Sequence, residues 1–403
     1  MGRVDGLIQQ LESWGVSERL QVAELLGQLG DPKAVPALLQ TANDPNEDSE
    51  VRIAAVWAVG QIGDLNAVPA LLDTYLIAPN RLAENILYAV GEILSRTSSD
   101  DDNSREIFSH AVDTLIEIVS DDWTSEEDRA AAAKALGKSR DPKAIPVLTR
   151  HLHEYQPIEV AKAAAFALRH FDDPQAIHAL AKAAINTKLV SEVRETAVQS
   201  LGDIGNPNAV DALISILEEQ SVDYSVRAEV ARALGRIGNP KAIEPLIRAL
   251  QNESSQSWSF LRKTIAETLG AFRDSRVTDA LIGALGSNYY IARAAADSLK
   301  NLRDRRAVEP LVRLLNEESH HFTHQREFAV QILGVLGDPR AIPALAKALR
   351  DKNKDIRNSA CESLQPFVLT HPDAILRIAP EDRNLLERLI QDAQRDELLR
   401  ELC

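Results

Sequence analysis

This chain has little of what staples small or secreted proteins together. It carries two cysteines, Cys361 and Cys403, too few for a disulfide framework. Cys403 is the terminal residue and lies too late for a prenylation box. One methionine and a 4% aromatic content leave Leu, Ile, Val and Ala to build the core of a chain that is 45% hydrophobic. No apolar run approaches the length of a membrane span, and no secretory h-region opens the sequence, so we expect a soluble, cytoplasmic protein without membrane insertion. Met1-Gly2 resembles a myristoylation start, but Gly6 stands where Ser or Thr is needed. Basic residues are also short, 45 against 60 acidic, giving a formal charge of −15. That deficit disfavours nucleic acid, whose binding depends on a basic face. Nucleophile elbows and phosphate loops are missing as well, so no catalytic residue is assigned.

What the chain has is a period. The string ALGRIGNP around Gly235 recurs with anchors at Gly27, Gly60, Gly91, Gly137, Arg169, Gly202, Gly235, Gly270, Lys300, Gly334 and Gln365. Nine of the ten steps between them lie between 30 and 35 residues, the spacing of stacked supersecondary units that cannot bury their apolar faces alone. Asx-Pro pairs at Asp31, Asp141, Asp173, Asn206, Asn239 and Asp338 predict a capped helix start with proline at its first position. Gly30, Gly63, Gly205, Gly238 and Gly337 suit the left-handed residue that closes the helix before. Each unit thus reads as a helical hairpin, and the anchor glycines read as helix corners. The expected fold is all-α, a solenoid or superhelix of about eleven stacked hairpins in one elongated body. Residues 1–30 form the amino-terminal cap, 31–368 the regular repeats with a polar loop inserted at 96–105, and 369–403 the carboxy-terminal cap, where Glu381 to Leu402 is expected to be helical.

Within the second helix of each unit, apolar residues fall one, four and five positions before the anchor and small residues two before. Eight units place arginine eight before it: Arg19, Arg52, Arg129, Arg194, Arg227, Arg262, Arg326 and Arg357. Such regularity predicts a structural ladder, with each guanidinium held by the turn inside its own unit, where Asp44, Glu154, Asn186, Glu219, Asn252, Glu317 and Asp351 supply acceptors.

The segments Leu26 to Leu38 with Val51-Arg52, and Leu333 to Leu345 with Ile356-Arg357, resemble HEAT repeats of the short type first described in phycobilin lyases. The resemblance implies a concave face lined by the second helices. It covers scaffolds, lyase subunits and a few enzymes, and so specifies fold more than function. Deoxyhypusine hydroxylases on this scaffold hold iron with several His-Glu pairs, and only His153-Glu154 matches here. His151, His153, His170 and His178, or His320, His321 and His324, could cluster, but ordinary surface histidines explain them as well.

The position three before the anchor carries the one anomaly. It is Trp57, Tyr88, Lys134 and Phe166 in units two to five and polar or charged in the others. Leu20 and Ile53, seven before their anchors, extend an apolar strip. We therefore expect a non-enzymatic scaffold or adaptor that grips another protein along this strip and needs no cofactor. The alternative is a bilin lyase subunit or bilin-binding chaperone holding a linear tetrapyrrole against the same rings.

Overall fold

Repeats start where a short polar side chain meets free backbone donors. Asp31, Asp141, Asp173, Asn239 and Asp338 each accept the N–H two residues on, and Asn206 accepts that of Ala209. Asp64 and Asp304 do the same without a following proline. Five first helices open with a single 3₁₀ turn at this cap before continuing as α-helix. At the opposite end of the corner the five expected glycines take left-handed φ, between 61° and 79°, and Arg140 and Arg303 adopt the same conformation at 55° and 50°.

The computed structural model describes residues 3–13, 15–97, 101–252, 259–316, 323–375 and 378–388, and no strand occurs among them. It divides into two compact units, Met1–Ile216 and Leu217–Cys403. The first contains six hairpins: α1 (Arg3–Ser13) with α2 (Val16–Leu29), α3 (Val35–Asn43) with α4 (Ser49–Ile62), α5 (Val68–Tyr75) with α6 (Asn80–Arg96), α7 (Asp102–Ser120) with α8 (Glu126–Ser139), α9 (Ala144–Arg150) with α10 (Ile158–Leu168), and α11 (Pro174–Ile185) with α12 (Ser191–Ile204). Helix α13 (Pro207–Glu218) carries the boundary. The second unit continues with α14 (Tyr224–Ile237), then α15 (Ile243–Gln251) with α16 (Ser259–Leu269), α17 (Ser275–Ala284) with α18 (Tyr289–Leu302), α19 (Val308–Asn316) with α20 (Thr323–Leu336), α21 (Ile342–Ala348) with α22 (Lys354–Thr370), and a single turn α23 (Pro372–Ile375). Within each unit every second helix packs on the next second helix, so the hairpins form two layers of an α-solenoid.

The anchor glycines have a different role from the one expected. Gly27, Gly60 and Gly137 lie inside second helices, three residues before the left-handed Gly30, Gly63 and Arg140 that make the corners, and Gly91 lies inside α6, which runs on to Arg96. Each anchor faces the small residue two before the anchor of the next repeat. A Cβ on Gly137 would stand 2.7 Å from Ala167 Cα, and one on Gly91 2.8 Å from Ala135 Cα. The second unit repeats the pattern with Gly235 against Thr268, Gly270 against Ser298 and Gly334 against Ser363. Ser298 and Ser363 donate their hydroxyls across the seam to the carbonyls of Ala266 and Val330. Close approach of consecutive second helices therefore selects both the glycine and its small partner.

The 46-residue step also resolves differently. The stretch 96–105 is only partly loop, because Arg96 ends the 17-residue α6 and Asp102 to Arg105 form the first turn of the 19-residue α7, capped by Asp101. Longer helices absorb the extra residues, and 98–100 lie outside the described residues. At the carboxy end residues 380–388 are helical, and Arg350 fastens them by bonding Glu381 at 3.0 Å and Asp382 at 2.5 Å. The remainder of the expected terminal helix, 389–402, lies outside the described residues.

Candidate functional site

The repeated arginines are anchored by main chain more than by side chains. The Nε of Arg52, Arg129, Arg194, Arg227, Arg262 and Arg326 donates to the carbonyl of Ala42, Val119, Ala184, Leu217, Leu250 and Leu315 respectively, at 2.7–3.3 Å. These carbonyls belong to the last turn of the preceding helix, which has no intrahelical donors left. Arg357 donates instead to the carbonyls of Asp351 and Lys352. The forward arm of the fork reaches the turn of the next repeat in four cases. Arg19 grips Glu47 with two bonds of 2.8 and 2.7 Å, Arg129 reaches Gln156 at 3.0 Å, Arg262 reaches Ser287 at 2.9 Å, and Arg326 pairs with Asp351. Where the sequence suggested acceptors within each unit, the fork also ties one repeat to its successor. Arg129, Arg194 and Arg227 are at most 5% exposed, and burial pushes the Arg227 guanidinium below its ordinary pKa.

The strip three before the anchor lies on consecutive second helices of the first unit. Trp57 is 43% exposed and its indole N–H donates to Asn85 Oδ1 at 2.7 Å. Tyr88, one turn along α6 from Asn85, is half-covered by Lys134, whose ammonium donates to the phenol oxygen at 2.9 Å. Phe166 is 36% exposed, with the Arg169 guanidinium 3.9 Å from its ring centre, and Asp203 accepts from that guanidinium at 3.1 Å. Packing thus leaves Trp57 the most open of the three, while Arg169 stacks on Phe166 and Lys134 covers Tyr88. Between α2 and α4 the same face sinks into a hollow of about 340 Å³. Leu20, Ile53 and Trp57 form its apolar wall, with Glu24, Gln28, Glu50 and Gln61 around them. Glu50 is engaged by Arg81 from α6.

No group of three metal-ligating side chains comes together among the described residues. His151 is turned inward, its Nδ1 2.8 Å from the Val147 carbonyl, and burial holds it below the usual histidine range. His170 packs edge-on against Phe166, His153 lies beside Tyr155, and His178 is exposed. His320 and His321 lie outside the described residues.

The sequence that builds these hairpins matches a known family. Models of HEAT repeats match residues 4–91, 154–225, 213–296, 286–365 and 323–402, and that of the PBS lyase HEAT-like repeat matches 128–154. The chain belongs to the HEAT-repeat family. No curated protein matches it. Among solved structures, the HEAT chain is similar to Kap95p in a complex with RanGDP, at 14% identity and a TM-score of 0.53, over 93% of this chain and 51% of that one. It is also similar to importin beta, at 15% identity and a TM-score of 0.52, over 96% of this chain and 64% of that one. It spans about half to two thirds of those proteins, and the likeness is one of fold. No helix among the described residues is long and apolar enough to cross a membrane.

A second set of rings in this HEAT chain escaped the sequence pattern. In the second unit Tyr289 packs against Tyr290, His324 and Phe328 with ring centres 5.8–6.0 Å apart. Tyr224, Phe260, Tyr289 and Tyr290 are each at least 46% exposed. All four sit ten or eleven residues before an anchor, at the starts of α14, α16 and α18. Comparing that position from repeat to repeat would have exposed the signal.

Proposed function

We propose that this HEAT protein is a non-enzymatic scaffold that grips a segment of another protein along the second helices of its first five repeats. The observation that carries this is the hollow of Leu20, Ile53 and Trp57, which opens onto a row of helices ending at the exposed Phe166. A half-exposed indole beside an apolar hollow suits a single large side chain of the partner, and Glu24 beside it suits a neighbouring cation. The surplus of acidic charge favours a protein partner over nucleic acid. We place the protein in the cytoplasm, without a cofactor.

The test begins with a photocrosslinking amino acid at Gln61, on the hollow's rim, and mass spectrometry of the captured protein. Binding of that protein is then titrated with Trp57→Ala and Phe166→Ala. Truncating a central aromatic anchor commonly costs about 2 kcal/mol or more of binding. An exposed substitution shifts stability by less than about 0.5 kcal/mol. Weakened binding with an unchanged melting curve is expected; destabilisation with unchanged affinity would show both rings to be core residues. A stably coloured protein on co-expression with a bilin pathway would transfer the same hollow to a linear tetrapyrrole.

A further inference from the structure

The most exposed large apolar residues among those described lie on neither helical layer. They are Trp123 (96% exposed), Tyr155 (84%), Leu76 (77%) and Ile77 (76%), and all four occupy the turns that join first to second helices in repeats three, four and five. The turn of repeat two, Asp44-Pro-Asn-Glu-Asp48, shows that a turn here needs no apolar group. In the second unit the turn Leu285-Gly-Ser-Asn288 buries its one large apolar side chain, Leu285. Three consecutive turns carrying large apolar side chains are therefore not a requirement of the hairpin.

These turns are neighbours. Tyr75 ends α5 just before Leu76, and α5 packs on α7, which ends at Ser120 just before the repeat-four turn. Arg129 joins Asp122 at 3.3 Å to Gln156 at 3.0 Å, one residue from Tyr155, and Lys188 holds Glu154 at 3.1 Å from the following turn. Around Trp123 stand the exposed carboxylates of Asp121, Asp122, Glu126 and Glu127. Arg129, 5% exposed and also bonded to Val119 and Gln156, pairs with Asp122 at 3.3 Å and so offsets one of the four, which leaves a surplus of three carboxylates.

We propose that this turn edge is a docking surface for a cationic amphipathic helix of a partner protein, with Trp123 and Tyr155 as its anchors. Charge fixes the sign: a surplus of three carboxylates beside an exposed indole favours lysine or arginine and repels an anionic leaflet. Spacing fixes the form. Adjacent hairpins lie about 10 Å apart, and a helix rising about 1.5 Å per residue brings residues i and i+7 to the same face about 10.5 Å apart. An extended segment covers that distance in about three residues, whose side chains point to opposite faces. The surface is distinct from the second-helix row and stands whether or not that row binds a partner.

The experiment uses the full chain and a fluorescein-labelled 18-residue peptide with leucine on one helical face and lysine elsewhere. Its controls are a scrambled peptide of equal composition and a glutamate-for-lysine analogue. Anisotropy should show binding that weakens at least tenfold on scrambling, disappears with glutamate and falls as salt rises. The double variant Trp123→Ser/Tyr155→Ser should lower affinity at least thirtyfold, and Leu76→Ser/Ile77→Ser by a smaller factor. Trp57→Ala and Phe166→Ala should leave it unchanged. Melting curves confirm that the variants fold. Equal binding of the scrambled peptide, or no effect of the double variant, overturns the proposal. So does Trp123-dependent sedimentation with phosphatidylcholine vesicles without peptide binding, which would make the edge a membrane contact.

Discussion

Adding one methyl group at Gly137 tests how closely the second helices are required to approach. A Cβ there would lie 2.7 Å from Ala167 Cα, 2.8 Å from its Cβ and 2.9 Å from its carbonyl oxygen, where ordinary contact begins at 3.4 Å. Helix α10 would have to withdraw by roughly 0.7 Å, and the obstacle is backbone, which cannot rotate away. Replacing a mid-helix glycine by alanine gains about 1 kcal/mol of helix propensity. Overpacking a filled seam costs about 1–3 kcal/mol, and a backbone clash belongs at the upper end of that range. Gly137→Ala should therefore destabilise by about 1–2 kcal/mol, lowering Tm by several degrees for a unit of this size. The effect should be graded, smaller in Gly91→Ala and smallest in Gly60→Ala, whose added Cβ would meet Ala89 at 3.0–3.1 Å. Gly283 supplies the opposite sign: it is helical and exposed with nothing within 4 Å of an added Cβ, so Gly283→Ala should stabilise by about 0.5–1 kcal/mol. The measurement is a set of urea titrations and thermal melts followed by circular dichroism. A Gly137→Ala protein as stable as its parent would refute the close-approach account of the anchor glycines.

Two further expectations concern the caps and the forks. Arg129→Met keeps the aliphatic stem but strands the Val119 carbonyl and breaks the tie to Gln156, and should cost about 1–3 kcal/mol. Arg52→Met, at a half-exposed position bonded only to the Ala42 carbonyl, should cost less, and a reversed order in urea titrations would refute the two-repeat fork. Asp338, 5% exposed, is held at a pKa of about 2 by the Arg340 guanidinium and its own capping bond, against 3.8 ordinarily. A depressed carboxylate stabilises the fold above pH 3.8 and loses that contribution as pH falls towards 2, so the deficit of Asp338→Asn, on the order of 2 kcal/mol at neutral pH, should shrink across that window. A deficit constant from pH 7 to pH 2 would show that the cap acts without its charge.

What the sequence by itself determined was local. Asp31-Pro32 and its counterparts specify helix starts because cap and donor lie within three residues, and Gly30 and its counterparts specify helix ends because one residue alone must adopt left-handed φ. The recurrence of these signals every 30 to 35 residues sufficed for the hairpin count and the fold class. The arginine position was equally visible, since Arg52 and the Ala42 carbonyl belong to one hairpin. Tertiary structure decided whatever depends on the next repeat. Arg19 chooses Glu47 and Arg326 chooses Asp351 because stacking brings a later turn under the guanidinium. Gly137 is required by Ala167, thirty residues on, and its own helix does not need it. Trp57 and Tyr88 occupy the same position in consecutive repeats, yet one stays open and the other is covered, because Lys134 on the following helix reaches the phenol. Exposure of Trp123 and Tyr155 is likewise a property of the assembled edge: period marks a turn, but only the packing of neighbouring turns leaves its apolar residues uncovered in a row.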